Sequence, residues 1–322
     1  MRAIVIEQPG GPEVLQPREV ADPRPGPGQV VVDVEAAGVN FIDIYQRTGV
    51  YPVPTPYTPG LEGAGTVSAV GAGVTDLAEG QRVAWVSAPG GYAERAAVPV
   101  ERVVPVPDGV ATEQAAAVML QGLTAHYLTH ATYPVRSGDT VLVHAAAGGT
   151  GLLLVQLAKA RGARVIGTVS TEAKERQARA AGADEIIRYT EVDDVAAAVR
   201  ELTAGAGVAA VFDGVGADTF DASLASLRRR GVLALFGQSS GVVPPVDPQR
   251  LNSAGSVFLA RPNLADHIVD RAELLERADD ILGLVAAGKL RVEIGGRYPL
   301  PDAARAHDDL AARRTTGKLL LV

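Results

Sequence analysis

The stretch VLVHAAAGGTGLLLVQLAK, residues 141–159, decides the fold. Its first residues are apolar and β-branched, which predicts a buried strand. A turn of small residues follows, and apolar positions at helical spacing then predict a helix that begins near Thr150. A strand joined to a helix through a tight glycine turn is typical of an α/β domain.

The turn AAAGGTG matches the dinucleotide-binding pattern G-x-G-x-x-G except at its first position, where Ala146 stands. Alanine fits the tight turn that this position requires. Gly148 lets the backbone approach a pyrophosphate, and Gly151 permits close helix–strand packing. The helix N-terminus adds free N–H groups and a positive dipole end. An ordinary strand–helix turn is the alternative, but the surrounding order of elements favours a pyrophosphate site.

The alternation of strand and helix continues along residues 123–264. Further strands are predicted at 164–169, 185–188, 208–213, 232–236 and 256–260, and further helices near 172–181, 191–203 and 217–228. The strands are almost continuously apolar, as in a sheet that is covered on both faces. The pattern therefore predicts a doubly wound parallel sheet of the Rossmann type.

Residues 1–122 have a different pattern, with short Val-rich runs between Pro/Gly-rich turns. Short strands at this spacing predict an antiparallel β domain, a partly open barrel. The tail, 265–322, contains a helix at about 266–287 and the closing run GKLLLV. Because that run has no sheet partner nearby in sequence, we expect it to complete the N-terminal domain.

Composition excludes several classes of protein. The 322-residue chain has a net charge of −7, which disfavours a nucleic-acid partner. It has no cysteine, which excludes disulfides, thiol nucleophiles and Cys-ligated metals. Neither a signal peptide nor a run of about 20 apolar residues is evident, so we expect a soluble cytoplasmic protein with no membrane partner.

The end of the second strand of the parallel sheet indicates the cofactor. NAD sites usually carry an acid there, about 20 residues after the glycine turn, to bind the ribose 2′-hydroxyl. Here the strand ends in Ser170 and Thr171, and Lys174 follows. Hydroxyls and a cation suit a 2′-phosphate, so we expect NADPH. Two alternatives remain: Lys174 is only solvated, or Glu172 binds a ribose instead.

The chain resembles the medium-chain dehydrogenase/reductase superfamily, and within it the NADPH:quinone oxidoreductases of the zeta-crystallin type. The motifs that carry this resemblance run through the whole chain in order: GGPEVL (10–15), AAGVNFIDIYQRTGVYP (36–52), PGLEGAGTV (59–67), QGLTAHYL (121–128), HAAAGGTG (144–151), FDGVG (212–216), FGQSSG (236–241) and ARP (260–262). The resemblance implies a GroES-like domain, a Rossmann domain with NADPH in the cleft between them, and a homodimer through the sheet edge near SVFLARP.

The resemblance also implies site residues. On the nicotinamide and substrate side they are Asn40, Phe41, Ile42, Asp43, Tyr45, Tyr51 and Tyr127. The pyrophosphate would face Gly148, Gly149, Thr150 and Gly151, and the 2′-phosphate would face Ser170, Thr171, Lys174 and Tyr189. The rest of the pocket would be Val215, Phe236, Gly237, Gln238, Ser239, Pro262, Asn263, Leu264 and Arg313.

Three positions depart from the resemblance. Gln121 stands where many relatives carry lysine, and Gly214 stands where serine is common. Arg313 is followed by Arg314, and either arginine could reach the cofactor. These departures put local contacts and substrate preference in doubt, but not the fold.

A catalytic zinc is not expected. Zinc-dependent relatives hold the metal with Cys, His and Glu, and their G-H-E motif falls on Gly60, Leu61 and Glu62. With leucine in place of the histidine and no cysteine in the chain, the three protein ligands that zinc needs cannot be assembled. Hydride delivery to an acceptor that is already electron-poor, a quinone, needs no Lewis acid.

The sequence leaves open which residues contact the acceptor and which acceptor is used. Tyr45 and Tyr51 are candidate hydrogen-bond donors to the acceptor oxygen, with aromatic packing as the alternative. An enone or enoyl-thioester reductase on the same scaffold remains open, as does a non-catalytic NADPH-binding protein.

GQSSG at 237–241 matches the G-x-S-x-G elbow of hydrolases, but the prolines that follow Ser239 exclude the helix such an elbow needs. His126 and His130 lack a third metal ligand.

Overall fold

A computed structural model describes all residues, 1–322. The chain forms two compact units. The first unit comprises Met1–Leu123 and His267–Val322, and the second comprises Thr124–Asp266. These divisions fall one and two residues from the boundaries expected from the sequence. No helix is long and apolar enough to span a bilayer.

The first unit is built around a sheet in which all strand pairs but one are antiparallel. Its elements, labelled in chain order, are β1 (Arg2–Val5), β2 (Gln16–Glu19), β3 (Gln29–Val39), α1 (Phe41–Arg47), β4 (Glu62–Val70), β5 (Arg82–Val86), β6 (Arg95–Pro99), β7 (Val103–Pro105), α2 (Thr112–Tyr127, which continues into the second unit), α8 (Arg271–Ala286), β14 (Ile294–Tyr298), α9 (Ala303–Ala311) and β15 (Lys318–Leu321). The main sheet has the order β14-β15-β3-β4-β5-β7, with β6 also paired to β3.

The closing run GKLLLV belongs to this sheet. Leu319 in β15 lies opposite Val39 in β3, and the two strands are antiparallel. The expectation that the C-terminus completes the N-terminal domain is therefore confirmed. The preceding helix is shorter than expected, because α8 begins at Arg271, where the Asp270 side chain accepts a hydrogen bond from the Glu273 N–H and caps the helix.

The second unit is a six-stranded, entirely parallel sheet. Its elements are β8 (Thr140–Val143), α3 (Gly149–Ala160), β9 (Arg164–Val169), α4 (Glu172–Ala180), β10 (Glu185–Arg188), α5 (Val195–Leu202), β11 (Val208–Asp213), α6 (Phe220–Ser226), β12 (Leu227–Leu235), α7 (Gln249–Ser253) and β13 (Phe258–Ala260). The strand order is β10-β9-β8-β11-β12-β13. From β8 the chain adds β9 and β10 on one side and then β11, β12 and β13 on the other, as in a doubly wound fold. The predicted α/β class and Rossmann-type sheet are confirmed.

One strand of this sheet starts earlier than the sequence indicates. β12 begins at Leu227, which is buried and pairs with Val208, whereas a strand was expected only from residue 232. The next registered pair is Ala210 with Val232. β11 has one residue between these pairs and β12 has four, so the arginine run 228–230 forms a bulge that the hydrophobic pattern does not reveal.

Candidate functional site

The sequence-predicted cofactor residues of the second unit meet at one edge of its sheet. Parallel strands place all their carboxyl ends on the same side. The glycine turn follows β8, Ser170 follows β9, Tyr189 follows β10, and the loops at 214–216 and 236–239 follow β11 and β12. In α/β proteins, ligands bind in the crevice outside this edge.

The N-terminus of α3 is suited to an anion. Gly148 is its extended N-cap residue, and no side chain caps the helix. The neighbouring helices are capped, since Thr171 accepts from the Lys174 N–H and Asp194 accepts from the Ala197 N–H. The first N–H groups of a helix have no partner within it. α3 therefore presents uncapped donors in the glycine turn, and this arrangement fits a pyrophosphate.

The alanine in the first glycine position is accommodated by a glycine on the next strand. Ala146 is fully buried, and a Cβ atom on Gly167 would come within 2.8 Å of its methyl carbon. Gly151 keeps the packing role expected of it, because a Cβ atom there would lie 2.2 Å from the Ala145 carbonyl oxygen. The turn thus retains its geometry although one glycine is missing.

The end of β9 is arranged as a small polar surface. Thr190 donates a hydrogen bond to the Ser170 carbonyl at 3.0 Å. Glu172, the carboxylate that competes for the ribose in the sequence argument, forms an exposed ion pair with Arg176 at 2.6 Å. Lys174 is half-buried and Tyr189 is 41% exposed. Ser170, Lys174 and Tyr189 lie in chain segments that end at the same sheet edge.

A buried polar cluster supports the loop after β11, and we call it the Asp213 cluster: Thr168, His144, Asp213, Thr219 and Ser223. The Asp213 carboxylate accepts from the Val215 and Gly216 N–H groups at 2.8 and 3.1 Å. It also accepts from the hydroxyls of Thr219 and Ser223 at 2.8 and 2.6 Å. The carboxylate therefore fixes the loop that carries Val215.

The histidine of this cluster is neutral. The Ser223 hydroxyl donates to Asp213, so its oxygen is left to accept from His144 Nε2–H at 3.0 Å, and Nδ1 accepts from Thr168 at 3.0 Å. Burial lowers the pKa of His144. Although Ser, His and Asp are together, the serine donates its proton to the aspartate and all three are buried, so the cluster is no hydrolytic triad.

The loop after β12 carries the second expected contact segment. A Cβ atom on Gly214 would come within 2.8 Å of the Phe236 ring, so the glycine at this position makes room for that ring. Ser239 N–H donates to the Gly214 carbonyl at 3.2 Å. No helix follows Ser239 until Gln249, which agrees with the rejection of a nucleophile elbow.

The first unit contains the second group of predicted residues, on and around α1. Asn40 caps this helix through a capping box with Asp43. Asp43, expected at the cofactor, has a fully buried side chain that accepts from the Asn40 N–H at 2.8 Å and from the Tyr92 hydroxyl at 2.9 Å. Burial raises the pKa of Asp43 to about 7, and the two hydrogen bonds oppose this rise.

Asn40 is also held by a buried ion pair that sequence reasoning missed. Lys318 donates to Glu62 and, at 2.7 Å, to Asn40 Oδ1, while the Asn40 amide donates to Glu62 at 2.7 Å. The Leu120 N–H donates to the other oxygen of Glu62. Lys318 and Glu62 are 1% and 0% exposed, so the pair is dry. The only signal in the sequence is a lysine within the apolar run GKLLLV.

Gln121 touches the same group. Its amide donates to Asn40 Oδ1 at 3.4 Å, and its buried Oε1 atom has no hydrogen-bond partner. We call Asn40, Glu62, Gln121 and Lys318 the Glu62 cluster. No group of three or more His, Cys, Asp or Glu residues is placed to hold a metal ion. The second oxygen of Glu62 is engaged by a main-chain donor, and the first is neutralised by an ammonium group.

Three aromatic rings lie on the chain segment that follows Asn40. The ring centroids of Phe41 and Tyr45 are 6.2 Å apart, and those of Tyr45 and Tyr51 are 5.2 Å apart in an edge-on arrangement. All three are partly exposed. They form a partly open aromatic wall, which is compatible with both the donor role and the packing role considered for the two tyrosines.

The remaining predicted residues are spread over both units. Tyr127 is buried, and burial raises its pKa. Pro262 and Asn263 are partly or fully exposed beside the buried Leu264. Arg313 is exposed in the first unit, while the guanidinium of Arg314 is held by Asp309 at 2.7 Å. The imidazole rings of His126 and His130 are stacked 4.0 Å apart, with no third ligand.

Comparison with known proteins agrees with this architecture. Residues 26–108 match the alcohol dehydrogenase GroES-like domain, and residues 149–276 match the zinc-binding dehydrogenase domain. The quinone oxidoreductase of Pseudomonas aeruginosa is 48% identical and covers 97% of both chains. Quinone oxidoreductase 1 of Escherichia coli K12 is 42% identical over 99% of this chain and 98% of its own.

Solved structures give the same result. A mycobacterial protein complexed with NADPH is 51% identical, with a TM-score of 0.97 over 100% of both chains. The E. coli quinone oxidoreductase complexed with NADPH is 42% identical, also with a TM-score of 0.97 over 100% of both chains. Fold and site together define a two-domain, dinucleotide-dependent oxidoreductase. The chain belongs to the quinone oxidoreductase family of the medium-chain dehydrogenase/reductase superfamily.

Proposed function

We propose that this protein is a zinc-independent NADPH:quinone oxidoreductase. The observation that carries the proposal is the full-length likeness to quinone oxidoreductases, one of them solved with NADPH. The uncapped N-terminus of α3 in the glycine turn supports it independently, because it fits the pyrophosphate of such a cofactor. When bound, NADPH supplies the hydride, and the chain supplies orientation and a dry surface.

The cofactor contacts follow from the sheet edge. We assign the pyrophosphate to Gly148–Gly151, and the adenosine 2′-phosphate to Ser170, Thr171, Lys174 and Tyr189. Val215 and the segment 236–239 would bind further along the same edge, together with Tyr127, Pro262–Leu264 and, from the first unit, Arg313. Glu172, the alternative contact for a ribose, forms an exposed ion pair with Arg176.

The substrate side is assigned to the first unit. Asn40, Phe41, Ile42, Tyr45 and Tyr51 would line the nicotinamide and the acceptor, and the aromatic wall suits a flat quinone ring. Asp43 would act indirectly, since its buried carboxylate holds the start of α1. Leu61 stands in the histidine position of the zinc motif, and Lys318 provides the positive charge next to Glu62. A quinone requires no metal to accept hydride.

The proposal is tested by following NADPH oxidation with ortho- and para-quinones, simple enones and an enoyl-thioester, and by repeating each assay with NADH and after chelation. We expect turnover with quinones that chelation leaves unchanged and that NADH supports at least tenfold less well. NADPH binding without turnover of any acceptor would overturn the enzymatic assignment and favour a non-catalytic NADPH-binding protein.

The 2′-phosphate assignment has its own test. Replacing Lys174 by Gln removes one charge from the proposed phosphate contact. We expect the KM for NADPH to rise about tenfold and the KM for NADH, which has no 2′-phosphate, to stay unchanged. Lys289→Gln, which removes the same charge from an exposed position of the first unit, is the matched control. Equal effects on NADPH and NADH would refute the role of Lys174 without affecting the quinone assignment.

A second candidate function is reduction of an activated carbon–carbon double bond. The 2-haloacrylate reductase of a Burkholderia species is 41% identical and covers 99% of this chain and 98% of its own. Both reactions deliver hydride to an electron-poor acceptor. NADPH oxidation with 2-chloroacrylate that exceeds the rate with every quinone would make this the principal activity.

The protein is further proposed to act as a cytoplasmic homodimer. β13 is an edge strand of the parallel sheet, and Phe258 on it is 60% exposed. An unpaired edge with an exposed aromatic ring is a surface that a second copy can cover. Sedimentation should give twice the 33.2 kDa chain mass, and Phe258→Arg should reduce it to one chain mass. A monomer at micromolar concentration contradicts this assembly.

A further inference from the structure

The second unit has a large cavity at the edge of the sheet opposite the glycine turn. We call it the arginine cavity, and its volume is about 990 Å³. It is lined by Arg200, the loop 205–206, the start of β12 at 227–230 and residues 252–256, which run from the end of α7 to the turn before β13. These segments lie at the amino ends of β11, β12 and β13, whereas the proposed cofactor residues follow the carboxyl ends of strands. The two sites are therefore separate.

The lining carries four guanidinium groups and no carboxylate. Arg200 is fixed by hydrogen bonds to the Ala225 and Leu227 carbonyls at 2.8 and 2.7 Å, and Arg228 pairs with Asp139 at 3.3 Å. Arg229 and Arg230 are exposed and form no ion pair. In a chain with a net charge of −7, this is a concentrated positive surface in which Arg229 and Arg230 have no counter-charge.

The backbone is shaped to present these arginines. The three extra residues of the β12 bulge push the run 228–230 out of the ladder. Arg230 has a φ of 59°, in the left-handed region that arginine rarely adopts, and its N–H donates to the Gly255 carbonyl at 2.9 Å. A Cβ atom on Gly255 would lie 3.0 Å from Arg229 Cγ. The strand and the facing loop are thus fitted to one another around the exposed guanidinium groups.

We propose that the arginine cavity binds a polyphosphate group. The guanidinium fork matches phosphate oxygens in pairs, and the two exposed forks of Arg229 and Arg230, beside the positive charges of Arg200 and Arg228, suit a group with several negative charges. Asn252, Ser253 and Ser256 add amide and hydroxyl donors to the same lining. The volume is that of an ordinary small-molecule site. Such a group occurs in free inorganic polyphosphate and in nucleoside triphosphates.

The test measures binding of inorganic triphosphate to the full chain by calorimetry, with NADPH at saturating concentration so that its phosphate sites are filled. We expect one triphosphate per chain, with an affinity that falls steeply as salt is raised. Arg229→Gln with Arg230→Gln should weaken binding at least tenfold. The control is Arg18→Gln with Arg24→Gln, which removes two exposed arginines from the first unit and should leave binding unchanged.

A titration with ATP identifies the ligand, and a single-residue variant replaces the double variant if that one does not fold. ATP that binds tighter than triphosphate assigns the group to a nucleotide, and equal affinity assigns it to free polyphosphate. Arg229→Gln alone, expected to weaken binding at least threefold, serves if the double variant does not fold. The proposal is overturned by absence of binding, by binding that NADPH abolishes, by equal affinity for citrate, or by an effect of the control as large as that of the pocket variant.

Discussion

The two units each bury a carboxylate, and they compensate its charge in different ways. In the Glu62 cluster of the first unit, a buried ammonium faces the carboxylate. In the Asp213 cluster of the second unit, no cation is present, and four donors, two N–H groups and two hydroxyls, surround the carboxylate. Glu62 also accepts hydrogen bonds, but a single group, Lys318, neutralises its charge, whereas several neutral donors together stabilise the charge of Asp213. The two clusters should therefore respond differently to substitution.

The largest difference is expected at Lys318. Replacing it by Met leaves Glu62 charged, dry and without its cation, which costs about 3–5 kcal/mol of unfolding free energy. Urea unfolding measures this loss. The combined replacement Lys318→Met with Glu62→Gln should recover most of it, since no charge then remains unpaired. Lys289→Met, at an exposed position of the same unit, should change stability by less than about 0.5 kcal/mol. A small effect of Lys318→Met would contradict the compensation described for this cluster.

A smaller effect is expected at Asp213. Asn at this position keeps the shape but cannot accept hydrogen bonds from all four donors, so the unfolding free energy should fall by about 2 kcal/mol. Because Asp213 fixes the Val215 and Gly216 N–H groups, NADPH affinity should also fall more than threefold in a fluorescence titration. Ser226→Ala, which removes the hydrogen bond of a buried serine on α6 to the Ala222 carbonyl, controls for the loss of a buried hydrogen bond outside the cluster. Unchanged NADPH affinity would separate this cluster from the cofactor site.

The smallest net effect on the intact protein concerns pH, because two groups within the first unit respond to pH in opposite directions. Burial raises the pKa of Asp43 to about 7 and lowers that of His307 to about 3. Folded Asp43 keeps its proton up to a higher pH than the unfolded chain does, so its contribution to stability falls as pH rises from about 4 to 7. Folded His307 stays neutral where the unfolded chain is protonated, so its contribution rises from about pH 3 to 6.5. Each slope is at most about 1.4 kcal/mol per pH unit.

These two slopes oppose each other between about pH 4 and 6.5. In the Asp43→Asn variant only the His307 contribution remains, so the urea unfolding midpoint should rise with pH across this range. In the His307→Gln variant only the Asp43 contribution remains, so the midpoint should fall. The two side chains are linked through the Tyr92 hydroxyl, which donates to Asp43 and lies 3.0 Å from His307 Nε2. Parallel pH profiles for both variants would show that neither group titrates as described.

The sequence predicted one unit more completely than the other. In the second unit, near-continuous apolar strands and a glycine turn specify a parallel sheet, and residues at strand ends then meet at one edge by geometry alone. The early start of β12 could not be predicted, because three successive arginines lack the apolar residues that indicate a buried strand. In the first unit the pairing of Lys318 with Glu62 joins positions 256 residues apart, and no local pattern encodes such a contact. Which site residues touch the cofactor stays a prediction from the resemblance.

The substitution in the glycine turn has a consequence for how such chains are recognised. The methyl carbon of Ala146 occupies the space that a Cβ atom on residue 167 would need, and residue 167 is a glycine. The two positions should therefore change together: Gly167→Ala alone would crowd the turn, while the reciprocal pair Ala146→Gly with Gly167→Ala would restore the ordinary motif. A search that demands glycine at all three places in the turn overlooks a chain of this kind, whereas a search that scores the turn and the facing strand as one unit would find it.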